Sequence, residues 1–190
     1  MQLSPALASV LVLLTNAWVT TADTVPCPNP AILGGDLVTI ISGQTALRVS
    51  SAVVGAALQG SQAMTPVDTA AKWLLQPVGL SLHPSGYVFK AFNDIDLQVV
   101  TSDVSPHTPL HLEPIKQGVN PQSWNITCGV CFTPTGLPDG AHLAGACEIT
   151  PVLAPGECVT IEDDGVTIAL EDCTGAAAQT FDFYGTVAIE

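Results

Sequence analysis

Apolar and polar residues alternate in short runs along this chain. The pattern recurs in "LVTIIS" at 37–42, "ALRVS" at 46–50, "YVFKAF" at 87–92, "DLQVV" at 96–100 and "PLHLEPI" at 109–115. It continues in "SWNIT" at 123–127, "CVTIE" at 158–162, "VTIALEDC" at 166–173 and "TFDFY" at 180–184. A period of two places successive side chains on opposite faces of an extended backbone, which predicts strands. Most runs are bounded by Gly, Asp, Asn, Ser or Pro, the residues of turns. With 15 prolines and 16 glycines in 190 residues, no 3.6-residue apolar period survives, so helices are not expected. The pattern predicts an all-β sandwich or barrel of many short strands.

Three segments of the pattern can be laid over one another. They begin at "ALRVS", "DLQVV" and "CVTIE", and each passes a turn and a second apolar strand before a triplet whose third residue is aromatic. The triplets are Ala71-Lys72-Trp73, Gln122-Ser123-Trp124 and Gln179-Thr180-Phe181. One repeat of about four strands cannot enclose its own apolar face, whereas three repeats, about 12 strands in all, can close a barrel, which removes exposed edges. Trp73, Trp124 and Phe181 are then expected to fill one shared interior. Gln122 and Gln179 can anchor a loop through backbone hydrogen bonds, which Ala71 cannot do.

The ends and the cysteines add a compartment. The apolar run Ala6–Leu14, followed by small and polar residues, is too short to span a bilayer, which needs about 20 apolar residues. It reads as a secretory signal peptide, residues 1–22, although no Lys or Arg precedes it. Residues 23–190 are then one domain, large enough for a real core. All six cysteines fall in it, and an even count behind a secretory signal argues for disulfides. The Cys128-x-x-Cys131 pair has no second CxxC and no strand-to-helix frame, so a structural role is favoured over redox or zinc chemistry. Charge narrows the partners: 17 acidic against 4 basic residues give a net charge of −13, which is repelled by phosphate backbones and anionic lipid. Nucleic acid and membrane partners are not expected.

The triplets, with "CVTIEDDGVTIALEDCTGAAAQTF", resemble the ricin B-chain type of β-trefoil lectin across nearly all of residues 35–188. The match is strongest in the third repeat and weakest in the first. The resemblance implies a β-trefoil of three four-stranded repeats, a Cys158–Cys173 disulfide within the third, and a secreted carbohydrate-binding module without catalysis. Pairing of Cys27, Cys128, Cys131 and Cys147 stays open, beyond the expectation that Cys27 ties the N-terminal arm to "CGVCFTPTGLPDGAHLAGAC", read as an insertion between repeats two and three. The resemblance also implies a sugar pocket made of an aspartate on the opening strand, an aromatic after the second strand and an asparagine before the triplet. Those places hold Arg48, Gln98 and Thr160; no aromatic in "LQGSQAM", then Glu113 and Glu171; and Ala70, Pro121 and Ala178. No repeat keeps the set. Repeat two comes nearest, with Gln98, His111 and Asn120 all able to bond hydroxyls, so an altered or partly lost sugar pocket is expected there. The alternative is a protein-binding module, such as a secreted hydrolase or protease inhibitor, using the loops 51–56, 101–108 and 129–146.

Other chemistry is sparse. The acidic third repeat reads as a solvated face, and "EDDG" is a hairpin turn rather than a calcium loop. His107 and His111 are separated by Pro109 and in an extended strand lie about 13 Å apart, too far to share a metal; His83 and His142 stand alone. No nucleophile, metal-hydrolase or phosphate motif is present. The expectation is therefore no enzyme, no metal, no cofactor, and a partner that is a glycan or an extracellular protein. Asn125-Ile126-Thr127 is a glycosylation sequon. Trp124 should face in and Asn125 out, with the direction of Ile126 left open.

Overall fold

A computed structural model describes residues 26–30, 33, 37–62, 71–80, 83–101, 106–114, 123–132 and 140–186. Residues 1–22, expected to be a signal peptide, Asn120 and Gln122 lie outside the described residues, as does the side chain of Gln98. After a two-residue strand β1 (Cys27–Pro28), twelve strands run in three sets of four. The first set is β2 (Leu37–Ser42), β3 (Thr45–Val49), β4 (Leu58–Gln62) and β5 (Lys72–Leu80). The second is β6 (His83–Ala91), β7 (Asp94–Thr101), β8 (Leu110–Pro114) and β9 (Trp124–Cys131). The third is β10 (His142–Pro151), β11 (Glu157–Ile161), β12 (Ile168–Asp172) and β13 (Phe181–Thr186).

The first and last strand of each set build a closed barrel. Antiparallel pairing runs β9–β10–β13–β2–β5–β6, and Tyr87 opposite Trp124 joins β6 back to β9. Closure leaves the barrel strands no free edge. The middle strands of each set form the hairpins β3–β4, β7–β8 and β11–β12. These hairpins lock head to tail in a ring. Ala57 bridges to His111, Pro109 to Ala169, and Thr167 back to Gln59. The matching amides close the same ring: Leu112 N–H donates to Ala56 O (2.9 Å), Leu170 N–H to Thr108 O (3.1 Å) and Gly60 N–H to Val166 O (2.6 Å). This is the β-trefoil fold.

The core lies where barrel and hairpins meet. Trp73, Trp124 and Phe181 are each within 1 % of full burial at the start of β5, β9 and β13. Trp73 Nε1–H donates to Leu47 O at 3.0 Å and Trp124 Nε1–H to Val99 O at 3.2 Å. A buried indole needs such a partner. Burying each ring contributes about 3 kcal/mol from area alone. Gln179, 3 % exposed, ties its loop from inside. Its Nε2 donates to Thr160 Oγ1 and Asp172 O, and its Oε1 accepts from Thr174 N–H at 2.8 Å.

The hairpin registers set the equivalences between repeats. Val49 faces Leu58, Thr101 faces Leu110, and Ile161 faces Ile168. Leu47, Val99 and Val159 therefore correspond, and the residue that matches Arg48 and Thr160 is Val100. Gln98 lies two residues earlier, opposite Glu113. The alignment expected from sequence slips by two in repeat two.

Three disulfides join Cys27 to Cys131, Cys128 to Cys147, and Cys158 to Cys173, and no cysteine is free among the described residues. The first pins β1 across β9, where Cys27 and Pro28 pair with Cys128 and Thr127. Much of the segment read as an insertion is regular strand: β9 runs on to Cys131, β10 begins at His142, and the two pair from Trp124–Pro151 to Cys131–Ala144. Ile126 is fully buried beside Trp124, so alternation holds through the sequon and leaves Asn125 half-exposed.

Candidate functional site

The polar groups at the hairpin positions are committed to one another. Thr160 Oγ1 donates to Cys158 O and accepts from Gln179. His111 Nε2 lies 3.2 Å from Glu113 Oε1, with the imidazole side chain only 19 % exposed. Of the three residues expected to contact sugar, only His111 has a described side chain, and its described polar contact is Glu113. At the places that would carry a stacking aromatic stand Ser61, Glu113 and Glu171. None of these offers a ring.

Rings gather elsewhere, on the outer wall of the barrel. β13 alternates Phe181 and Phe183 inward with Asp182 and Tyr184 outward. The first residue of β10, His142, pairs with Tyr184. Phe132 follows β9, and its N–H donates to Leu143 O at 3.0 Å, which holds it against the same strand. Three elements distant in sequence thus set three rings in a row. His142 stacks on Tyr184 with centroids 4.9 Å apart and planes 18° apart, and Phe132 meets His142 at 4.9 Å and 46°. Phe132 remains 41 % exposed.

A carboxylate borders the row. Asp182 Oδ1 accepts from Ala146 N–H at 3.1 Å and lies 3.6 Å from His142 Nε2. Room for both depends on Gly145: a Cβ there would fall 2.9 Å from Asp182 Oδ1 and from His142 Nε2. Burial, and then the Asp182 charge, push the Tyr184 phenol above its ordinary pKa, so it stays a neutral donor at physiological pH. The wall combines flat apolar faces with a carboxylate acceptor and a hydroxyl, the chemistry that a pyranose with one apolar face and a rim of hydroxyls requires. Sequence reasoning passed over Phe132 and Tyr184 and left His142 alone, because only strand pairing reveals that they meet.

Tyr87, inside the barrel, donates to Pro30 O, and burial pushes its phenol up to about 12. The interior cavity among Trp73, Trp124, Phe89 and their aliphatic neighbours is about 10 Å³ and wholly apolar, too small for a ligand.

The fold is a β-trefoil, and its barrel wall carries a row of three rings beside a carboxylate. At the level of sequence, no family profile and no curated protein matches the chain. Among solved structures it is similar to the designed threefold-symmetric protein ThreeFoil, at 15 % identity and TM-score 0.58, covering 78 % of this chain and 97 % of that one. It is similar to the Macrolepiota procera ricin B-like lectin in complex with lactose, at 10 % identity and TM-score 0.53, covering 79 % and 95 %. It is also similar to the C-half of the earthworm R-type lectin in complex with GalNAc, at 12 % identity and TM-score 0.51, covering 79 % and 98 %. At these identities the likeness is one of fold.

Proposed function

We propose that this protein is a secreted, non-catalytic carbohydrate-binding module whose sugar contact has moved from the hairpin pockets to the barrel wall at Phe132, His142, Asp182 and Tyr184. The observation that carries this reading is the ring row beside a carboxylate, on a fold shared with sugar-binding lectins whose usual aromatic places are empty of rings here. Secretion is supported by the three disulfides. Among the described residues no helix is long and apolar enough to cross a membrane. Asn125, outward on β9 with Asn29 Nδ2 3.5 Å from its Oδ1, is the proposed glycan acceptor.

A glycan array probed with the purified, oxidised chain tests the reading. Binding should be present and should fall about tenfold, or about 1.4 kcal/mol, in Tyr184→Ala and Phe132→Ala with the far-UV spectrum unchanged. No glycan bound, or binding indifferent to both substitutions, would overturn it. A second reading, a protein-binding module, is favoured by Val53 and Val54, which stand 55 % and 61 % exposed on the loop between β3 and β4. Retention of an extracellular hydrolase by the wild-type chain and not by Val54→Ser would select it.

A further inference from the structure

The hairpin ring holds a second cluster, which sugar contact on the wall does not use. At the turn before the third strand of each repeat, the backbone takes positive φ at Gly55 (82°), His107 (63°) and Gly165 (68°). Glycine adopts this conformation freely, while a residue with a Cβ is strained there. Two repeats meet the requirement with glycine, so the turn does not call for histidine. What distinguishes His107 is the pair of side chains that its ring reaches.

Those side chains belong to the neighbouring repeat. His107 Nδ1 contacts Glu171 Oε1 on β12 and lies 4.0 Å from Glu162 Oε1, just past β11. One ligand atom from each of the three residues falls within 4.8 Å of the others. The backbone fixes the seam between them: His107 N–H donates to Leu170 O, and Leu170 N–H donates to Thr108 O at 3.1 Å. The two glutamates also crowd each other. Both carboxylates come within reach of the same His107 ring nitrogen. Asp164 is occupied by Val166 N–H, Thr167 N–H and the Thr167 hydroxyl. Two carboxylates and an imidazole nitrogen thus converge into a donor set of the kind that holds a cation.

We propose that His107, Glu162 and Glu171 form a site for a divalent cation of the zinc type, linking the second and third repeats across the hairpin ring. One nitrogen and two carboxylate oxygens suit zinc, whose bonds to such ligands are about 2.0–2.2 Å. Calcium, which takes about 6–8 oxygens, is poorly served by this set. The ion replaces the direct His107–Glu171 contact, and the exposed His107 and half-buried Glu162 side chains swing to admit it. Every described cysteine is held in a disulfide, so no thiolate among them competes.

The test is titration of the chelator-treated, oxidised chain with zinc chloride, followed by calorimetry and by the imidazole proton resonances of its four histidines. We expect one equivalent bound, the His107 signal shifted, and no displacement by excess calcium or magnesium. His107→Gly installs the residue that the other two repeats carry, so it should leave the metal-free fold intact while weakening zinc binding at least tenfold. Glu171→Gln should weaken it similarly. Absence of zinc binding, or binding that persists in His107→Gly with the shift at another histidine, overturns the site.

Discussion

A single atom decides some positions in this protein. Gly60 sits in β4 where a Cβ would fall 2.5 Å from Gly165 O and 2.7 Å from Thr45 Cγ2. The first obstacle is backbone held in the hairpin ring, so it cannot rotate away. Gly60→Ala should destabilise the protein by about 2–3 kcal/mol, read from the urea midpoint. Two carboxyl groups in the same ring should titrate with opposite sign. Asp164 has its pKa lowered, chiefly by the Thr167 hydroxyl and then by the Thr167 and Val166 amides. Its contribution is therefore present above the unfolded pKa and lost as pH falls through the folded one. Glu162 has its pKa raised, so its contribution is present below the unfolded pKa and lost as pH rises through the folded one. Melting temperature against pH should lose its acid-side decline in part in Asp164→Ala. In Glu162→Gln it should lose the decline that appears as pH rises above the usual carboxylate range. If both variants keep the wild-type profile, neither group is coupled to folding.

Elements carry the cross-links and the register. The Cys158–Cys173 bond closes a separation of 15 residues within one hairpin, and Cys27–Cys131 closes 104 between the N-terminal strap and β9. In the loop-entropy account these contribute about 3 and about 4.7 kcal/mol. The double replacement of Cys27 and Cys131 by Ala should therefore lower the denaturation midpoint more than that of Cys158 and Cys173. A reversed order would mean that local strain or residual unfolded structure outweighs loop length. Strand identity was legible in sequence because period two survives in every repeat. Register in β7 was not. Leu97 and Val99 are both buried, so a shift of two residues keeps every side chain on its own face and leaves no hydrophobic signature. That is why Gln98 took the place that the hairpin pairing gives to Val100. The stretch around Cys131 and His142 was hidden differently, since its Gly and Pro residues read as loop while the disulfides and the β10 pairing extend the strands into it.

At the scale of the whole molecule, the threefold relation becomes an energetic claim. One aromatic per repeat was visible as a spaced triplet. The side-chain clusters were not, because Phe132, His142 and Tyr184, like His107 and Glu171, meet only across strands or repeats. Their convergence is a product of strand pairing and of the hairpin ring rather than of local sequence. Closure also makes Trp73 and Trp124 the same residue in two places: each stands at the start of the last strand of its set, is within 1 % of full burial, and donates its indole N–H to the carbonyl of a corresponding strand residue, Leu47 or Val99. Replacing either by Phe removes one ring's worth of packing and leaves one buried carbonyl without its donor. Each change should cost about 2–4 kcal/mol. Because each indole makes the same bond to a corresponding carbonyl, the two losses should be of similar size. Phe181→Trp should instead destabilise by about 1–3 kcal/mol through overpacking, since the apolar interior has no vacant volume for a second ring. Equilibrium unfolding in urea measures all three. Unequal losses at Trp73 and Trp124 would mean that the repeats share a shape without sharing their energetics, and that the N-terminal strap, which pairs with the second repeat's last strand, has broken the symmetry.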